Sequence, residues 1–251
     1  MTSKNSPWYE EFYGRDYLQA LVPSLTNSEK EAEFAATTLG MKPGDQVLDL
    51  CCGQGRHSVL LAGRGIAVTG QDQSAEYLAD ARTAAESANV DLPLVQSDMR
   101  DIPFKNKFDF VINMFTSFGY FETDDDDRKV VAEISKALKP NGRVLIDLIN
   151  RDWVIANNEP SERRVNVDGT VVLEERTLNL QTNRNEVRFT FIDPDGTRRK
   201  SFGHRIRLYT LDEITEMMRG VGLEELEVFG GFDSEPHTTS TRRMIVVARK
   251  V

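Results

Sequence analysis

Val47-Leu48-Asp49-Leu50-Cys51-Cys52-Gly53-Gln54-Gly55 reads as a short apolar strand that runs into an acidic residue and then a Gly-x-Gly turn, ahead of a helical pattern. That order brings a carboxylate at the end of a buried strand beside a loop whose backbone can touch a ligand, because glycine has no side chain to obstruct the approach. Asp49, Gly53 and Gly55 fill these places. A ligand end carrying both an ammonium and a carboxylate suits such a pairing of acid and N–H donors. A dinucleotide fingerprint also opens on a glycine turn, but its third glycine falls where this chain has Ser58, which weighs against that reading.

Outward from this turn, short apolar runs alternate with longer helical patterns from Gln46 to Asn150. The runs are Val47 to Leu50, Ala67 to Gly70, Leu92 to Val95, Phe108 to Met114 and Arg143 to Ile149. The alternation predicts a parallel sheet covered on both faces, with ligands beyond the carboxyl ends of its strands. Before it lie an aromatic-rich opening from Trp8 to Leu18 and a helix from Asn27 or Ser28 to Leu39, where Ser28 and Glu31 have capping-box spacing. After it, Val165 to Val167, Thr170 to Leu173, Val187 to Ile192 and His204 to Tyr209 alternate like strands, with a turn at Asp193-Pro194-Asp195-Gly196. This is read as an antiparallel insertion, either a wall over the site or a plain extension of the sheet. A helix from Thr210 to Arg219, again with a capping-box pair in Thr210 and Glu213, and strands at Leu226 to Phe229 and Arg243 to Arg249 complete the chain. The expected divisions are an N-terminal lid at 1–45, a ligand-binding core at 46–150, the β insertion at 151–210 and completion of the core sheet at 211–251.

The remaining strand ends supply further ligand-side candidates. Asp72 lies nineteen positions after Gly53, the spacing at which a carboxylate accepts hydrogen bonds from ribose hydroxyls, although a helix N-cap competes for it. Gln73 is grouped with it. At the third strand end, Asp98 is placed to accept from an adenine amino group and Met99 to touch the ring face, with Ser97 beside them. The fourth strand leads into Asn113-Met114-Phe115-Thr116-Ser117-Phe118-Gly119-Tyr120-Phe121. Asn113 and Met114 are assigned to the edge of that ligand, and Phe115 and Tyr120 to the wall of a second pocket beside it.

Composition narrows the class. The 251 residues are 39% hydrophobic and 28% charged, which allows a packed core without disulfides or metals. A formal charge of −9 with no long Lys/Arg run argues against a nucleic-acid partner. No run approaches the roughly 20 apolar residues of a bilayer span, and the start Met1 to Ser6 lacks a signal peptide's apolar segment, so no membrane partner and a cytoplasmic location are expected. Cys51 and Cys52 are neighbours, a spacing that gives neither a structural disulfide nor a zinc site. Asp124 to Asp127 are read as the acidic first turn of a helix, leaving no metal site expected. His57, His204 and His237 each read as structural on their own, and Arg56 as a surface salt bridge unless it meets a ligand anion.

Val-Leu-Asp-Leu-Cys-Cys-Gly-Gln-Gly-Arg-His, Gly-Gln-Asp-Gln-Ser, Gln-Ser-Asp-Met-Arg and Asn-Met-Phe-Thr-Ser-Phe-Gly-Tyr-Phe resemble successive motifs of the class I S-adenosylmethionine-dependent methyltransferases, over Gln46 to Asn150. The resemblance implies an α/β, Rossmann-like sheet of seven strands in the order 3-2-1-4-5-7-6, the seventh antiparallel, with S-adenosylmethionine as cofactor. Phe115 to Phe121, Val187 to Asp193 and Arg205 to Thr210 are similar to a small-molecule branch that includes nucleotide-sugar N-methyltransferases and antibiotic-tailoring enzymes, and that carries the β insertion. That branch uses N-terminal aromatics as a lid, matched here by Tyr9, Tyr13 and Tyr17. On the lid resemblance Tyr17 is assigned to cofactor binding and catalysis and Tyr13 to the substrate; Tyr120 joins the catalytic candidates, and Phe115 and His204 the substrate-binding ones. Cys51 stands where the commonest first motif often has glycine. The implied reaction is direct in-line methyl transfer to an amine or hydroxyl of a small molecule. Only a hydroxyl acceptor needs a base such as His204 or a tyrosine, and a phenol of pKa near 10 is a poor one. Methylation of a peptide or protein terminus and a non-catalytic cofactor-binding module are the alternatives. Monomer and homodimer both stay open. RNA methylation is disfavoured by charge and by Asn113-Met114-Phe115-Thr116 in place of an Asn-Pro-Pro-Tyr motif.

Overall fold

The computed structural model describes residues 27–251, apart from the side chains of 199–202. Two compact units are present: one comprises 27–153 with Tyr209–Val251, the other Val154–Leu208. Tyr9, Tyr13 and Tyr17, and with them most of the expected lid, lie outside the described residues.

The larger unit is built from α1 (Ser28–Leu39), β1 (Gln46–Leu50), α2 (Arg56–Ala62), β2 (Ala67–Asp72), α3 (Ala75–Ser87), β3 (Leu94–Gln96), β4 (Phe108–Asn113), α4 (Asp124–Ala137) and β5 (Leu138–Ile149). After β5, α5 (Arg151–Ala156) leads to the second unit, which holds β6 (Ser161–Val165), β7 (Val171–Asn179), β8 (Arg184–Ile192) and β9 (Arg198–Arg207). The chain then closes the larger unit with α6 (Leu211–Arg219), β10 (Leu223–Phe229) and β11 (Arg243–Lys250). The seven-stranded sheet has the order β10-β11-β5-β4-β1-β2-β3. Its strands β1 to β5 pair in parallel, and β11 runs antiparallel to both neighbours. Counted within the core alone, this is the expected order 3-2-1-4-5-7-6.

Successive side chains on a strand face opposite ways, so a sheet covered on both faces needs apolar residues at consecutive positions. Leu48, Leu50, Val111, Val144 and Ile146 pack with Val130 and Ile134 of α4 and Ile214 and Met218 of α6. Their neighbours Val47, Ile112, Leu145 and Ile245 pack with Ala32, Phe34 and Leu39 of α1 and Leu61 of α2.

The helix starts divide the capping predictions. Thr210 and Glu213 form the complete reciprocal box at α6. At α1 the box does not form: Asn27 is the N-cap without a side-chain bond, and Glu31 is buried among tertiary partners instead. The four aspartates do open α4, capped by Thr123, but Asp127 is fully buried and accepts the Tyr209 hydroxyl at 2.7 Å.

The smaller unit is one antiparallel sheet in the order β6-β7-β8-β9. Its first strand occupies Ser161–Val165, not 165–167. The reason is the turn that follows, in which Gly169 donates to the Asn166 carbonyl and Asn166 to that of Thr170, leaving Val167 exposed. The turn at Asp193 to Gly196 forms as expected, Gly196 donating to the Asp193 carbonyl at 2.8 Å.

Candidate active site

The turn after β1 is held in a left-handed backbone at three places: Cys51 at φ 63°, Gly53 at 55° and Gly55 at 76°. Cys51 thus occupies a conformation that costs an L-residue roughly 1–2 kcal/mol. The two glycines differ in what surrounds them. Among the described residues a Cβ on Gly53 meets nothing nearer than Tyr77 Cδ2 at 4.0 Å, whereas one on Gly55 comes within 3.0 Å of Ala81 Cβ. Gly53 therefore leaves room for a ligand, and Gly55 lets α3 pack against the turn.

Two carboxylates border this turn. Asp72 at the end of β2 accepts the Gly53 N–H through Oδ2 and the Ser74 N–H through Oδ1, both at 2.9 Å. The N-cap of α3 is Ser74, not Asp72. Asp49 is buried and accepts from the Ser58 hydroxyl at 2.6 Å, so the residue in place of a dinucleotide site's third glycine anchors this acid. Burial pushes both carboxyls above the usual aspartate value, with hydrogen bonds from Ser74 and Gly53 opposing it at Asp72 and the His57 charge and Ser58 at Asp49.

At the end of β3, Asp98 is engaged by its neighbour Arg100, which donates from Nε at 3.0 Å and Nη2 at 2.7 Å. Burial would raise its carboxyl, but the arginine outweighs that and holds it below the usual range. Ser97 donates to the Asp101 carbonyl at 2.7 Å, and the Gln73 carbonyl accepts from Gln96 at 3.2 Å. Met99 packs at the edge of the core, its sulfur 3.6 Å from that of Cys51. Asn113 donates to the Leu50 carbonyl at 2.9 Å, while its Oδ1 is buried without a hydrogen-bond donor among the described residues. Met114 packs into the core layer of α1 and α2. Burial keeps the thiols of Cys51 and Cys52 protonated, the nearby carboxylates adding to the effect.

The chain leaves β4 through Phe115 and Thr116, both left-handed at φ 61° and 58°. Two such non-glycine residues in succession carry strain of about 1–3 kcal/mol each and need outside support. Asp147 of β5 gives it: its Oδ2 accepts the Phe115 N–H at 2.8 Å and its backbone carbonyl the Thr116 N–H at 3.0 Å. The Asp147 side chain is fully buried, and Arg243 Nη1 donates to its two oxygens at 2.8 and 2.7 Å. The Phe115 ring stays 44% exposed, with the guanidinium of Arg56 at 4.7 Å and that of Arg243 at 5.2 Å from its centre. Tyr120 follows, half-buried.

Arg56 is no surface salt bridge. It pairs with the buried carboxylate of Glu31, which His57 Nε2 also meets at 2.7 Å, and its Nη1 donates to Ser28 at 3.1 Å. Burial would raise the Glu31 carboxyl, but the His57 hydrogen bond and the Arg56 charge bring it to about 2. Beside Arg243 opens a groove of about 420 Å³, lined among others by Lys30, Phe232, Asp233, Thr241 and Arg242. In the smaller unit His204 lies on β9, its ring 6.1 Å from that of Phe189, and burial pushes its imidazole down to about 4.

Sequence reasoning missed Glu31, Asp147 and Arg243. A signal existed for two of them: Asp147 is the lone acid in the apolar run Val144 to Ile149, and Glu31 falls on the face of α1 that carries Ala32 and Ala35 into the core. Among the described residues no cluster of three His, Cys, Asp or Glu side chains is placed to hold a metal ion, and no helix is long and apolar enough to cross a membrane.

A model of the methyltransferase domain matches residues 47–142. The chain is 30% identical over 230 residues to the dTDP-3-amino-3,4,6-trideoxy-alpha-D-glucopyranose N,N-dimethyltransferase of Streptomyces venezuelae, covering 89% of this chain and 91% of that one. It is 28% identical to the glycine/sarcosine N-methyltransferase of Aphanothece halophytica, over 96% of this chain and 92% of that one. The CcbJ methyltransferase of Streptomyces caelestis shares the fold, with a TM-score of 0.78 over 90% of each chain at 21% identity. With its strand order, its glycine turn and a relative matched over nearly its whole length, the chain belongs to the S-adenosylmethionine-dependent methyltransferases.

Proposed function

We propose that the protein transfers a methyl group from S-adenosylmethionine to the amine of a small molecule, directly and in line, without a covalent enzyme intermediate. The residues present fit the cofactor. Among the described residues nothing comes nearer than 4.0 Å to a Cβ built on Gly53, Asp72 holds the Gly53 N–H, Asp49 precedes the turn at the end of β1, and Asn113 Oδ1 is a buried acceptor lacking a donor among the described residues. Gly53, Asp72 and Asn113 are assigned to the cofactor on this basis, with Gln73, Ser97, Asp98 and Met99 along its nucleoside side. When bound, S-adenosylmethionine supplies a methyl carbon made electrophilic by its sulfonium, so the protein's task is alignment.

The observation that carries an amine acceptor is the engagement of the four carboxylates at the ends of β1, β2, β3 and β5. Asp49 is bonded to Ser58, Asp72 to two backbone N–H groups, Asp98 to Arg100 and Asp147 to Arg243. A neutral amine attacks with its own lone pair, whereas a hydroxyl needs a base to take its proton. Relatives named for N-methylation of an amino sugar and of glycine and sarcosine support the same reading. A relative named cypemycin N-terminal methyltransferase, 27% identical over 82% of this chain, favours a second reading, the terminal amine of a peptide.

Calorimetry with S-adenosylmethionine, then mass spectrometry of a panel of glycine, sarcosine, a dTDP-amino sugar, an amine-free phenol and a short peptide, tests the proposal. Cofactor binding with methylation of a small amine is expected. Transfer only to a hydroxyl compound, or a folded protein that binds no cofactor, overturns it; transfer only to the peptide selects the second reading.

A further inference from the structure

We infer that Asp147 and Arg243 are positioning residues that lock Phe115 and Thr116 as a fixed wall of the acceptor pocket, a role that rests on the methyl transfer proposed above. Neither Phe115 nor Thr116 favours a left-handed backbone, yet both adopt it. One residue meets both of their N–H groups, through Oδ2 at 2.8 Å and through its carbonyl at 3.0 Å, and that residue is Asp147. Ninety-six positions later Arg243 donates to both Asp147 oxygens while its guanidinium lies against Phe115 and, at 4.8 Å, Phe232. Arg56, itself paired with Glu31, approaches the same ring.

A phenylalanine that only filled the core would be buried. Phe115 is 44% exposed and still fixed through its backbone and by two guanidiniums. Each arginine is paired with a buried carboxylate, so little net charge is left to capture an anion; the two act as tethers for the ring. A wall held this way is set before the acceptor arrives, and misplacement of about 1 Å in such a shell is enough to slow transfer on the order of a hundredfold.

Amide hydrogen exchange and calorimetry on the intact protein test this without an acceptor. Arg243→Met and Asp147→Asn should raise exchange at the Phe115 and Thr116 amides about tenfold or more, while S-adenosylmethionine affinity stays within about threefold, because the Gly53 and Asp72 contacts are untouched. Arg243→Lys, which keeps the charge but not the planar guanidinium that lies against Phe115 and Phe232, should fall between. With the amine found in the panel, Arg243→Met should lower kcat more than it raises the cofactor's KM, and should add little to the loss caused by Phe115→Ala. Unchanged exchange at the two amides overturns the inference, as do additive losses or a parallel loss of cofactor affinity. Should Arg243→Met not fold, Arg243→Lys and Phe115→Ala carry the same comparison. Wild-type protein that binds no cofactor, but whose two amides lose protection in Arg243→Met, sinks the proposed function and leaves the clamp standing.

Discussion

Gly53 donates its backbone N–H to Asp72 Oδ2 at 2.9 Å, which makes the turn after β1 and the end of β2 a single piece. The second Asp72 oxygen holds the Ser74 N–H, so the carboxylate spans the turn and the start of α3. An asparagine can keep one of these bonds but turns an NH2 toward the other donor. Asp72→Asn should therefore lose a charge-assisted hydrogen bond worth about 1.5–3 kcal/mol, a weakening of S-adenosylmethionine binding by roughly 10- to 100-fold in calorimetry. Unchanged affinity would show that the turn keeps its shape without the carboxylate.

The two glycines of the turn should fail in different ways. Gly55→Ala places a methyl 3.0 Å from Ala81 Cβ on a left-handed backbone, and should cost about 2–4 kcal/mol of folding stability. Gly53→Ala has room for its methyl and should cost only about 1 kcal/mol of stability, while the methyl fills the space assigned to the cofactor. Urea unfolding and calorimetry on the same two variants separate the effects. Equal stability losses would mean that the turn acts only as a structural element.

The sheet and the glycine turn were legible because their signals are local: consecutive apolar residues mark strands with two buried faces, and glycine marks the turn between them. The capping box at Thr210 and Glu213 was legible for the same reason, since both partners lie within one helical turn. An identical spacing at Ser28 and Glu31 misled, because Arg56 and His57, 25 and 26 residues away, win the Glu31 carboxylate from the helix end. Asp147 could be flagged from its apolar surroundings as needing a partner, but only the pairing of β5 with β11 identifies that partner as Arg243. In the insertion, Val165 and Val167 alternate as a strand does, yet the turn from Asn166 to Thr170 claims the second of them.

Cys51 offers a test of strain. Glycine normally destabilises a chain by about 0.5–1 kcal/mol relative to alanine, but at φ 63° it removes roughly 1–2 kcal/mol of left-handed strain that alanine retains. Cys51→Gly should therefore be at least as stable as Cys51→Ala in urea unfolding, reversing the ordinary order. Both lose the thiol's packing against Met99, so that contribution cancels in the comparison. A glycine variant less stable than the alanine variant would place the tension of this turn elsewhere.

Glu31 gives the acid limb of stability a specific origin. Its carboxyl is held at about 2 against a reference of 4.5, because the His57 hydrogen bond and the Arg56 charge overcome the cost of burial. A carboxylate with a depressed folded-state value stabilises the fold above its unfolded value, and the contribution fades as pH falls through the folded one. The stabilisation is thus complete above about pH 5 and lost between roughly pH 4.5 and 2, with a size on the order of 3 kcal/mol. The buried carboxyls of Asp49 and Asp72 are shifted upward and contribute with the opposite sign, so the raw acid curve is a composite. Subtracting the curve of Glu31→Gln isolates the pair. The difference between wild type and variant should be flat near neutral pH and shrink steadily below pH 4.5; a difference that is constant down to pH 2 would mean that Glu31 acts through packing alone and not through its charge.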